Sequence, residues 1–140
     1  MSYFEDIKSI LKGHIEIIKS ISPINLNDSS QNKIENHFKR SVAINEQIDK
    51  EEPKKLKEFI EYLNNEGRYF GWSFPENEKE ETCENSFWNL KEKAKNIIGG
   101  MIGNERLYFF GYLDEFENLP STHKSAKRRY FKKIIYVIVT

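Results

Sequence analysis

The chain is poor in several things at once. It has one cysteine, four prolines and seven glycines in 140 residues, and its 22 basic side chains are cancelled by 22 acidic ones. The lone Cys83 excludes an internal disulfide framework and fits a reducing compartment. The longest apolar run, Ile134 to Val139, is six residues, against the roughly 20 that a membrane helix needs. Glu5 and Asp6 stand near the start, where a secretory signal carries base. The expectation is a cytoplasmic protein, neither secreted nor membrane-spanning. Also missing are His-Glu-x-x-His, Cys-x-x-Cys and any glycine-rich loop that opens a helix. No catalytic residue, metal or cofactor is therefore expected.

What is present divides the chain in two. Of 19 aromatic residues, five fall in residues 1–66 and fourteen in 67–140. The first part reads as helical. Ser2 and Glu5 form a capping-box pattern, and Phe4, Ile7, Leu11, Ile15 and Ile18 follow at steps of three and four. Pro23 bars continuation. A second helix restarts at Asp28 or Ser29, with a thinner apolar face of Ile34, Phe38, Val42, Ile44 and Ile48 that suggests a peripheral position. Glu51, Glu52 and Pro53 open a third helix. Its stripe is Leu56, Phe59, Ile60 and Leu63, and Gly67 caps it.

The second part reads as mixed. Phe70, Trp72 and Phe74 alternate across a short strand over 68–74. A long helix over 77–98 carries Cys83, Phe87, Leu90, Ala94 and Ile97 and stops at Gly99 and Gly100. Residues 106–113 and 134–139 read as two further strands, the last apolar on both faces and so central. Residues 120–133 hold another helix or a long loop. The expected fold is one α+β domain over 1–140: three N-terminal helices packed on a small, about three-stranded sheet with one further long helix.

Candidate chemistry is sparse. His14 lies beside the first apolar stripe, where a half-buried, hydrogen-bonded structural role is expected. His37 and His123 stand apart from it in sequence, so no zinc site assembles. Cys83 sits on an apolar stripe behind Glu80 and Glu81, which oppose thiolate formation. Residues 99–103 hold three glycines but end a helix, so they make a turn and not a phosphate cradle.

Charge is patterned more sharply than its zero sum implies. Residues 76–84 sum to −4, residues 114–117 to −3 and residues 118–140 to +6. Each acidic block follows an expected strand. Parallel strands would carry both blocks to one rim, with Glu76, Glu78, Glu80, Glu81, Asp114, Glu115 and Glu117 as the candidate partner-binding set. Trp88, framed by Glu84 and Glu92, joins it as a candidate anchor. The basic block of Lys124, Lys127, Arg128, Arg129, Lys132 and Lys133 surrounds Tyr130 and Phe131. It is a solvated flank, a partner of the acidic rim, or a nucleic-acid contact.

In its size, its lack of catalytic clusters, its single cysteine, its α+β pattern and its acid-flanked aromatic segments (Phe74 to Glu76, Tyr112 to Glu117), the chain resembles the small cytoplasmic immunity proteins of bacterial polymorphic toxin systems, including contact-dependent growth inhibition. The resemblance is one of kind over the whole chain and carries no diagnostic motif. It implies a non-catalytic protein that binds a cognate toxin domain and blocks it, the acidic rim meeting a basic groove such as a nuclease's. Nucleic acid is then not the expected partner. The alternative is a nucleic-acid-binding or metal-dependent nucleic-acid-processing protein using the basic block with Asp114, Glu115 and Glu117.

Overall fold

The computed structural model describes residues 3–21, 29–50, 55–72 and 74–101, without the side chains of 29–32 and 55. They form four helices: α1 (Tyr3–Ile21), α2 (Ser29–Ile48), α3 (Lys55–Gly71) and α4 (Glu78–Gly99). No strand occurs among the described residues, so the expected α+β architecture is replaced there by an all-helical one. None of these helices is long and apolar enough to cross a membrane.

The decisive correction lies at residues 68–74. Arg68 to Gly71 are the last turn of α3, and Trp72 is a turn residue beyond it. Phe70 stands seven residues after Leu63 and so falls in phase with the helical stripe. It is buried at 3% exposure, whereas Trp72 and Phe74 are 88% and 92% exposed. A strand would have put all three on one face; burying Phe70 alone requires the helix. Gly67, expected as a cap, is instead inside α3, where a Cβ would come within 3.7 Å of the Trp88 ring. The two later strands expected over 106–113 and 134–139 lie outside the described residues.

α1 and α4 follow their stripes. Phe4, Ile7, Leu11, Ile15 and Ile18 are buried on α1, and Cys83, Phe87, Leu90, Ala94 and Ile98 on α4, Ile98 taking the place expected of Ile97, which is only partly buried. Asn77 caps α4 by accepting hydrogen bonds from the amides of Lys79 (3.0 Å) and Glu80 (2.9 Å). Glu78, Glu80 and Glu81 complement its positive end.

α2 departs from expectation more quietly. Its inward face is Ile34, His37, Ser41, Ile44 and Ile48, all buried at steps of three and four. Two of the five are polar, so an apolar count makes the face look thin. The helix is not peripheral, for it packs on α1 and α3 and touches α4. Its register is set by pairs. Lys33 meets Tyr69 and Ser41 meets Tyr62, so α2 and α3 run antiparallel. Lys33 meets Glu80 and His37 meets Phe87, so α2 and α4 run parallel.

Phe87 sits at the centre. Its ring lies 5.1 Å from Phe70, 5.5 Å from His37, 6.1 Å from His14 and 6.4 Å from Tyr62. Phe87→Ala is expected to cost about 3–5 kcal/mol, and Trp72→Ala no more than about 0.5 kcal/mol, as measured by urea unfolding. Gly13, in the middle of α1 with nothing within 4 Å of an added Cβ, gives the opposite sign. Gly13→Ala should raise stability by about 0.4–1 kcal/mol in the same measurement.

Candidate functional site

Four of the buried polar residues, His14, His37, Ser41 and Glu66, belong to one connected layer that joins all four helices, whereas buried Glu80 stands apart from it. His14 of α1 and His37 of α2 face each other at 2.8 Å between their Nε2 atoms. They are 3% and 0% exposed. His14 Nδ1 is 2.7 Å from Ser86 Oγ of α4. His37 Nδ1 lies 3.5 Å from Glu66 Oε1 of α3, a charge contact too long for a full hydrogen bond. Arg40 closes the layer at the surface, donating through Nε and Nη2 to the two Glu66 oxygens. Ser41 donates to the His37 carbonyl at 2.8 Å, so Tyr62, 2.5 Å away, must donate its hydroxyl to Ser41.

Proton positions follow from these partners. Nδ1 of His37 faces a carboxylate and therefore carries a proton. With one proton on each ring, His14 Nε2–H donates to His37 Nε2, and Ser86 donates to His14 Nδ1. A second proton on His37 reverses that order, with His14 now donating to Ser86, and every bond survives. A proton added to both rings destroys it, because two N–H groups then point at each other. The electrostatics agree. Burial, and then the neighbouring His37, lower His14 to about 3, with Glu66 opposing. Burial pushes the Glu66 carboxyl up, but His37 and Arg40 outweigh it and hold the group below its ordinary value. Burial also raises the Tyr62 hydroxyl, keeping it a donor.

These groups are enclosed, which suits a structural layer. No group of three or more His, Cys, Asp or Glu among the described residues is placed to hold a metal ion. Cys83 is buried, as the sequence suggested, and burial followed by Glu66, Glu80 and Glu84 pushes its thiol up to about 12. Two clefts touch the ends of the layer. One, of about 530 Å³ between α2 and α3, is lined by Arg40, Tyr62, Glu66 and Tyr69 among others. The other, of about 210 Å³ between α1 and α4, is lined by His14, Ser86, Asn89 and Lys93 among others.

The candidate partner-binding residues meet different fates. Glu76, Glu78 and Glu81 are exposed around the α3–α4 turn, beside Trp72 and Phe74. Glu80 does not join them. It is buried, accepts the Glu76 amide at 2.6 Å and pairs with Lys33 at 3.4 Å. Trp88 is 37% exposed, its indole donating to Glu84 at 3.4 Å while Lys91 lies 5.6 Å over its ring. Burial lowers the Lys91 ammonium, and the positive charges of Lys95 and Arg68 add to that, so cations as well as carboxylates stand at this edge. Asp114, Glu115, Glu117 and the block from Lys124 to Lys133 lie outside the described residues. The shared rim loses its premise in any case, because the strand expected to lead into Glu76 is the end of a helix.

His14 has the hydrogen-bonded structural role expected of it, though buried and not half-buried; the sequence points neither to the rest of the polar layer nor to the full exposure of Trp72 and Phe74. Steps of three and four through His37 and Ser41 were the available signal for the first, and Phe70's phase with Leu63 for the second. No family model, curated protein or solved structure matches the chain.

The layer predicts an acid limb of unusual onset. A buried histidine with a lowered folded value contributes stability in full above its unfolded value of 6.5, and loses it as pH falls from there toward 3. Glu66, also lowered, adds to the loss only below its ordinary 4.5. Thermal unfolding of the protein should therefore weaken from pH 6.5 downward, at up to about 1.4 kcal/mol per pH unit for this single proton. His14→Gln should be less stable at pH 7.5 but nearly flat between pH 6.5 and 5.

Proposed function

We propose that this protein is a non-catalytic binding protein that engages a basic protein partner through the turn between α3 and α4. One observation carries the reading: Trp72 and Phe74, two large aromatics within three residues, are 88% and 92% exposed. Half-exposed Tyr69 stands one helical turn before Trp72, and Glu76, Glu78 and Glu81 follow on the other side. Aromatic anchors become energetic centres when a partner excludes water from them. The acidic flank selects a cationic surface and speeds encounter with it.

A toxin's nuclease domain has that chemistry, since it must present cations to phosphate. The likeness to immunity proteins keeps its size, single cysteine and acid-flanked aromatic supports, and loses its α+β support. A cytoplasmic setting, where Cys83 stays reduced, fits the same reading.

The test is capture from the native cell by cross-linking to the purified protein, followed by titration calorimetry with the captured partner. Trp72→Ala and Phe74→Ala should each weaken binding about 30-fold or more, as central aromatic anchors do. Reversing charge at Glu76, Glu78 and Glu81 should slow association and flatten its salt dependence. A partner whose affinity is indifferent to both sets refutes the reading.

A further inference from the structure

The geometry points to a small-molecule site in the cleft between α2 and α3, one that binds an elongated zwitterion with a carboxylate at one end and an amine at the other. The cleft's volume of about 530 Å³ lies within the range typical of small-ligand sites, about 300–1,000 Å³.

Its anion-binding end is Arg40. The half-exposed guanidinium is held from behind by Glu66, which uses Nε and Nη2 and leaves the Nη1 edge for a ligand. Its face lies 5.6 Å over the Tyr69 ring. Glu66 is itself buried and backed by His37. A buried ion pair adds little net stability, but it does fix an arginine. A guanidinium fixed on an edge and a face gives up little freedom on meeting a carboxylate.

The cation-binding end is Glu61, exposed on the same cleft wall five residues before Glu66. At the helical rise, that places it about 7 Å along the axis of α3. Tyr62, Asn36 and Asn65 also line the cleft. Glu61 repels a simple anion such as phosphate, and Arg40 repels a simple cation. A ligand of both signs, with about five methylenes between them, satisfies each end. The chemical class is an ω-amino acid, the length of a lysine side chain carrying a carboxylate. The site shares Tyr69 with the aromatic surface but uses neither Trp72 nor Phe74.

The probe is 6-aminohexanoate, titrated into the whole protein by calorimetry and by NMR of the tyrosine rings, with hexanoate and hexylamine as single-charge controls. Saturable binding is expected at about 1 mM or tighter, with each control at least about tenfold weaker, the loss of one charge-assisted hydrogen bond. Glu61→Gln, at an exposed position, should keep the melting temperature and weaken the probe about tenfold. Arg40→Lys should weaken it too, because an ammonium cannot hold the same fork, while Trp72→Ala should leave it unchanged. Absence of saturation by about 20 mM overturns the proposal. So does equal binding of either control, or indifference to Glu61→Gln.

Discussion

The hydrogen bond between the His14 and His37 imidazoles is the constraint on which this bundle turns. Each ring is enclosed, so an unmet ring nitrogen is costly; three of the four have hydrogen bonds, and the fourth, His37 Nδ1, has the 3.5 Å charge contact with Glu66. Those needs recruit Ser86 from α4, Glu66 from α3 and, through Glu66, Arg40 at the surface. A slip of any helix by one turn would leave at least one of them unmet. The apolar residues supply most of the driving force and tolerate alternatives; the polar layer does not.

The same layer explains why aromatic rings crowd the middle. His37 has the rings of Phe70, Phe87 and Tyr62 within 6.1 Å, and these keep water from the histidine pair. Exclusion of water is what makes His14 so reluctant to take a proton. Stability and acid sensitivity therefore come from one arrangement. Arg40 is where that arrangement reaches the surface, and its fixed orientation is an outward consequence of burying Glu66. The aromatic turn is separate: Trp72 and Phe74 contribute nothing to the layer, which leaves them to serve a partner.

Much of the helical framework was legible, and the reasons for the failures are physical. The stripes of α1 and α4 are mostly apolar, so period alone reveals them. α2 reads as peripheral because His37 and Ser41 count as polar in any apolar tally, although they occupy inward positions. Residues 68–74 read as a strand because alternation over Phe70, Trp72 and Phe74 fits that period as well as Phe70 fits the helical stripe that begins at Leu56. Short aromatic runs carry both periods, and only burial separates them. Of the acidic candidates, Glu76, Glu78 and Glu81 are surface residues as expected, whereas Glu80 was taken inward by the Glu76 amide and Lys33. Pairing of that kind depends on which helix lies opposite, and a single sequence does not state it.

The most direct test of this account is nitrogen-15 NMR of the two imidazoles. A hydrogen bond between His14 Nε2 and His37 Nε2 predicts a slowly exchanging ring proton with scalar coupling to both nitrogens, and a His14 ring that does not take up a second proton at pH 5. Two rings that exchange freely, show no mutual coupling and titrate independently near pH 6.5 would contradict it.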